Sequence, residues 1–150
     1  MHLKSFAFYI ALLRKDFVAY CSERLAELGV TYGQLFILIY ISKRRECSPK
    51  DICEFLKLDA GQMNRTLSKL IENDCITQRK STKDKRANIV SLTEKGNNIV
   101  EISHSLFYQW DEKVLAGMDE TNRQTLMESI QSIALHHNYN MEEKKYEQAE

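Results

Sequence analysis

The sequence is poor in the residues that interrupt chains: its 150 residues include one proline and five glycines. That scarcity excludes collagen-like, low-complexity and turn-rich all-β architectures and favours long uninterrupted helices. Long apolar runs are missing too. The longest, Leu35 to Ile41, has seven residues, far below the roughly 20 that a bilayer-spanning helix requires. Met1-His2-Leu3-Lys4 opens no charged-then-apolar leader, so the expectation is a cytoplasmic protein with no membrane partner. Cys21, Cys47, Cys53 and Cys75 include no C-x-x-C pair. Their spacing suits neither a zinc site nor a disulfide framework, and they read as reduced, mostly buried thiols. His2, His104, His136 and His137 form no metal-spaced pair, and G-x-S-x-G and phosphate-cradling glycine loops are absent. No enzyme activity, metal or cofactor is therefore expected.

An excess of one charge is also lacking, since 21 Lys and Arg balance 21 Asp and Glu. The distribution is uneven, however. Residues 60 to 86 hold seven basic side chains (Arg65, Lys69, Arg79, Lys80, Lys83, Lys85, Arg86) and three acidic ones, a net charge of +4. A basic patch on a neutral chain steers a polyanion to one face without making the whole molecule adhesive.

Apolar residues recur at helical spacing from residue 3 to 28 (Phe6, Ile10, Leu13, Phe17, Cys21, Leu25, Leu28), and Gly29 supplies the stop. Thr31-Tyr32-Gly33-Gln34 has the form of a capping box, which assigns the apolar run behind it to a helix through about Ser42 rather than to a strand. Ser48-Pro49-Lys50-Asp51 starts a short helix, with Ser48 as N-cap and Pro49 in the first turn. Asp59 then caps a helix to about Asn73, so the pair has the helix-turn-helix shape.

On this second helix, with Met63 at zero, Leu67, Leu70 and Ile71 fall at about 40°, 340° and 80° and form an apolar stripe. Ser68, Arg65, Lys69 and Gln62 fall at about 140°, 200°, 240° and 260°, with Asn64 near 100°. Side chains of these kinds read base edges and phosphates. Ile76 to Lys80 and Ile89 to Leu92 read as strands around the polar basic loop Ser81–Asn88. Helix-turn-helix, strand, basic loop and returning strand make a winged helix, whose loop arginine suits a narrow minor groove.

Thr93 caps a helix from about Glu94 to Ala116, with Gly96 in its first turn marking close packing. Asp119 caps a last helix carrying Leu126, Ile130, Ile133 and His137, and the tail from Asn140 is polar. The fold class expected is mainly α with a small β wing: a winged helix-turn-helix lobe (31–92) flanked by long terminal helices (3–28 and 93–139), then a polar tail (140–150). So small a lobe leaves the apolar stripes of those helices uncovered, and interleaving with a second chain covers them, giving a homodimer.

The order of elements, the segment DKRANIVSLTEKG and the stretch LDAGQMNRTLSKLIENDCITQRKSTKDKR resemble the MarR family of transcription regulators over nearly the whole chain. That resemblance implies a repressor that binds double-stranded DNA as a homodimer and is released by a small, often aromatic effector or by an oxidant. It implies Arg86 as the minor-groove arginine, and Asp84 as the residue that holds the wing by pairing with an arginine. It places Ser48, Gln62, Asn64, Arg65, Ser68 and Lys69, with Lys83 and Lys85 of the loop, where the family contacts DNA. Asn73-Asp74 replaces the family's residue-then-glycine helix end, Asn being tolerant of that backbone. Cys21 is a candidate redox sensor, although its place on the apolar stripe favours an inert thiol. Phe17, Tyr20, Tyr32 and Tyr40 are candidates for an effector pocket and equally for core, the reading we favour. The alternative to DNA binding is a winged helix docking on protein, which would lack a steep salt dependence.

Overall fold

Gly29 ends the first helix in the left-handed conformation (φ 74°), and three residues later the second helix is nucleated by a complete capping box. The Gln34 amide N–H donates to Thr31 Oγ1 at 3.2 Å, and the Thr31 amide donates to Gln34 Oε1 at 2.9 Å. A computed structural model of the chain describes residues 5–138. In chain order the elements are α1 (Phe6–Glu27), α2 (Tyr32–Arg44), β1 (Glu46–Cys47), α3 (Pro49–Leu56), α4 (Ala60–Glu72), β2 (Ile76–Lys80), β3 (Asn88–Leu92), α5 (Glu94–Val114) and α6 (Glu120–Asn138). They form two compact units that part between Trp110 and Asp111.

In the first unit every start signal read from the sequence operates. Ser48 Oγ accepts the Asp51 amide at 3.2 Å, and Asp51 Oδ2 accepts the Ser48 amide at 2.9 Å. Asp59 Oδ1 accepts the Gln62 amide at 2.8 Å. Lys57 turns the chain between α3 and α4 through the left-handed region (φ 53°). The three strands form an antiparallel sheet in the order β1-β3-β2, with Ile76 opposite Leu92, Lys80 opposite Asn88, and Cys47 opposite Val90. β1 was not anticipated, because two residues are too few to show a period.

Leu25, Leu38, Ile41, Ile52, Met63, Leu70, Val90 and Ile99 meet in one core. Full burial of such side chains stabilises by roughly 1.5–3 kcal/mol each. Gly96 explains itself here: a Cβ at that position would run into the backbone carbonyl of Cys75. Ile71, expected on the buried stripe, is 41% exposed. It lies at the margin of an arc centred on Met63, Leu67 and Leu70, and the core does not reach that far. At the end of α4 the residue in the left-handed region is Asp74 (φ 57°), while Asn73 stays at φ −83°. Asp74, rather than Asn73, therefore stands in the usual glycine's place.

α1 divides along its length. Cys21 and Leu25 are fully buried and Phe17 packs against the core, whereas Phe6, Tyr9, Ile10, Leu12 and Leu13 are exposed. Residues 3 and 4, included in the expected helix, lie outside the described residues.

In the second unit α6 starts on Asp119, whose Oδ1 accepts the Asn122 amide at 2.9 Å. Bonds from the Asn122 backbone and side chain hold the Asp119 carboxyl below its ordinary pKa. Arg123 donates to the Leu115 carbonyl through Nε (3.2 Å) and Nη2 (3.0 Å), and pairs with Glu112 at 2.6 Å. Leu126 is half-buried, while Met127, Ile130 and Ile133 are exposed. The side chain of His137 and the polar tail lie outside the described residues.

Candidate nucleic-acid interface

The helix-turn-helix presents one face of α4 to solvent because Met63, Leu67 and Leu70 hold the other against the core. Gln62, Asn64, Arg65, Ser68 and Lys69 are all exposed. Ser68 Oγ donates to the Asn64 carbonyl at 3.0 Å, which leaves its lone pairs facing outward as acceptors. Neither Arg65 nor Lys69 makes an ion pair among the described residues. Their charges are thus available to an external anion, and the helix supplies both donors and acceptors.

The end of α4 is bolted to its surroundings. Asn73 Nδ2 donates to the Gly29 carbonyl at 3.0 Å, Lys95 Nζ to the Asn73 carbonyl at 2.7 Å, and Thr93 Oγ1 to the Asp74 carbonyl at 2.6 Å. α4 is thereby tied to the α1–α2 turn and to the start of α5, and β2 begins within a few residues.

The β2–β3 loop is ordered by its own polar side chains. Ser81 Oγ accepts the amides of Lys83 (3.2 Å) and Asp84 (3.3 Å), and Asp84 Oδ1 accepts the Arg86 amide at 3.0 Å. Asp84 shapes the tip through a backbone amide; among the described residues it makes no ion pair with an arginine side chain. The ion pair at the wing lies elsewhere, between Arg79 Nη2 and Glu46 Oε2 at 2.7 Å. It joins the two strands that flank β3, and the sequence reading missed it because β1 was missed. Lys83, Lys85 and Arg86 project from the tip and are exposed.

Ser48 is committed to its own helix: besides capping α3, its hydroxyl donates to Asp51 Oδ2 at 2.7 Å. Of the four aromatic residues proposed for an effector pocket, Phe17 and Tyr32 lie in a cluster with Phe36, Phe107 and Trp110, ring centroids 5.0–6.4 Å apart. Tyr20 donates to Gln109 Oε1 at 3.3 Å. Tyr40 is elsewhere, against Phe55 at 4.6 Å.

Cys21 is fully buried, and loss of solvation pushes its thiol up to about 11. Burial likewise pushes Cys47 up to about 12, with the Asp51 carboxylate adding to the effect. Cys53 and Cys75 are raised as well, again chiefly by desolvation. A thiolate is the reactive form, and this environment disfavours it.

A helix pair with a polar, cationic outer helix, continued by an antiparallel hairpin with a cationic tip, defines a winged helix-turn-helix protein of the nucleic-acid-binding kind. Comparison with known proteins agrees. Residues 19–102 match the family described as Transcriptional regulator SarA/Rot. The HTH-type transcriptional regulator BilQ of Clostridium symbiosum is 35% identical over 87% of this chain and 90% of its own. The BilQ of Clostridioides difficile is 28% identical over 89% and 90%. Among solved structures, a crystal structure of MarR superposes with a TM-score of 0.82 over 91% of this chain and 92% of that one, at 18% identity. The reduced form of MarR from E. coli gives 0.80 over 89% and 98%, at 22% identity. These two likenesses speak for the fold. The chain belongs to the family of the SarA/Rot transcriptional regulators, and its fold is the winged helix-turn-helix fold of the MarR structures. It is a DNA-binding transcriptional regulator, and the family acts through DNA binding rather than catalysis.

Proposed function

We propose that the protein is a repressor that binds a pseudo-palindromic operator as a homodimer and leaves it when a small molecule binds. The observation that carries this reading is the pairing of an exposed, unpaired cationic face on α4 with a cationic wing tip reached from it through Asn73 and Asp74. In this reading Gln62, Asn64, Arg65, Ser68 and Lys69 meet bases and phosphates in the major groove. Lys83 and Lys85 meet phosphates, Arg86 enters the minor groove, and Asp84 keeps the tip in shape. Ser48 stands at the start of α3, where a helix N-terminus suits a phosphate. A solved structure of a mutant MarR from E. coli complexed with operator DNA shares the fold with a TM-score of 0.70 over 83% of this chain, at 22% identity.

Dimerisation is supported by apolar faces that a single chain leaves open: Phe6, Ile10 and Leu13 on α1, and Met127, Ile130 and Ile133 on α6. A second copy related by a dyad covers them, which gives the terminal segments 3–28 and 93–139, with α1, α5 and α6, their role beside the lobe of residues 31–92. Two lobes so related read half-sites about one helical turn apart. Selection from a random DNA pool with the purified protein is expected to return an inverted repeat with that spacing. A lone half-site, or no enriched sequence at all, overturns the proposal.

A further inference from the structure

The outward face of the wing sheet carries a polar row across all three strands. Glu46 of β1 stands opposite Ser91 of β3, and Ser91 opposite Thr77 of β2, with the Thr77 and Ser91 hydroxyls 3.1 Å apart. Arg79 is on the same face, two positions beyond Thr77. The other face is the buried one, with Cys47, Val90 and Ile76. β1 and β2 flank β3 and so lie about 10 Å apart, two strand spacings, and the Arg79 side chain crosses that distance. Its Nη2 donates to Glu46 Oε2 at 2.7 Å, and its Nη1 to the Lys80 carbonyl at 3.3 Å. Lys43, Arg44 and Arg45 directly precede Glu46, yet among the described residues Glu46 makes its ion pair with Arg79. Both side chains are half-exposed, and ion pairs open to water add little to stability. The pair matters more for the field that a polyanion meets. Residues 76–92 hold Arg79, Lys80, Lys83, Lys85 and Arg86 against a single carboxylate, Asp84. Of these cations, Arg79 alone is in an ion pair among the described residues. It lies about 7 Å of strand from the start of the loop at Ser81, within the Debye length of about 8 Å at physiological salt.

We infer that Glu46 is a positioning residue of the DNA interface: it draws the Arg79 guanidinium across β3 and withholds it from phosphates, so that the wing meets DNA with its tip rather than its shaft. This rests on the placement of the wing proposed above. A phosphate contact by Arg79 would strengthen binding to every sequence alike, because phosphates carry no base information. Sequence-independent affinity is what holds a regulator on DNA outside its operator. With one cation held back, that affinity is lower, while α4 and Arg86 keep their contacts.

The test uses the full-length protein, fluorescence anisotropy and two duplexes, the inverted repeat returned by selection and a scrambled version of it, each titrated across salt. Glu46→Ala is expected to tighten binding to both duplexes about fivefold near ~0.1 M salt, and to steepen the slope of log affinity against log salt by about 0.9 for each wing engaged. Glu46→Gln keeps the length of the side chain and removes its charge. It is expected to act in the same direction, and it decides the matter if Glu46→Ala does not fold. In an Arg79→Gln background, either change at Glu46 is expected to leave affinity and slope where they were. Equal gains in the two backgrounds would show Glu46 acting as a bare negative charge and would overturn its role through Arg79. Weaker binding or an unaltered slope would make the pair a structural brace, and a gain confined to the inverted repeat would make Arg79 a base reader; each overturns the inference. If selection enriches no sequence, the operator reading fails and a mixed-sequence duplex carries this test by itself. A parallel titration of Arg86→Ala separates the two levels. A wild-type slope there takes the wing off the DNA and removes both readings, whereas a reduced slope with no effect of replacing Glu46 removes this inference alone.

Discussion

Arg86 sits on a loop whose backbone is held by Ser81 and Asp84, so its guanidinium is delivered by a shaped tip rather than by a flexible arm. Replacing it with alanine is expected to weaken operator binding and to reduce the slope of log affinity against log salt by about 1, since one fewer counterion is released. A salt titration of both proteins measures this, and equal slopes would remove Arg86 from the interface. The cysteines give a second prediction at this scale. Their raised pKa values mean that thiolate is scarce until the pH approaches them; at pH 8 a thiol near 11 is ionised to about one part in a thousand. Alkylation of the native protein with iodoacetamide, read by mass spectrometry, should modify the half-buried Cys53 first and leave Cys21, Cys47 and Cys75 largely untouched. Rapid modification of Cys21 would instead reopen the redox reading. The glycine at 96 was legible as a close contact, but its partner, the Cys75 carbonyl, belongs to a distant part of the chain and was not.

At the scale of elements, short-range chemistry was highly readable. The capping boxes at Thr31 and Ser48, the Asp59 and Asp119 caps and the Gly29 stop involve residues at most a few positions apart, so their geometry is encoded where it acts. The strands of the wing were readable because they flank a single polar loop and pair directly with each other across it. What escaped was β1, together with the Glu46–Arg79 pair, which bridges 33 positions in sequence. The junction of α4, β2 and α5 offers an element-level test. Alanine in place of Gly96 would by propensity alone favour α5 by about 1 kcal/mol. The added Cβ meets backbone that cannot yield, so the expected net result is a loss of about 2 kcal/mol, seen as a lower denaturation midpoint. A gain in stability would mean that Gly96 and Cys75 are not in contact.

At the scale of the whole molecule, the exposed halves of α1 and α6 predict the assembly. Leu13→Glu places a charge on an α1 face that is 42% exposed in one chain, so the fold of the chain is expected to survive. Sedimentation should nevertheless show loss of the dimer, and affinity for a full inverted repeat should fall at least tenfold, because two half-sites no longer bind as one. A variant that stays dimeric with full affinity would move the interface away from this part of α1. The sequence by itself determined the order of the helices and of the wing hairpin, the helix caps, the amphipathic character of α4 and the basic loop. All of these arise from interactions between near neighbours, where periodicity and capping are written directly. Only the tertiary structure decided which apolar residues are covered and which stay open: Ile71 and the outer half of α1 against the inner half, the bolting of Asn73 to Gly29, and the reach of Arg79 across β3 to Glu46. Burial and long-range pairing depend on what arrives from elsewhere in the chain, and no local pattern carries that information.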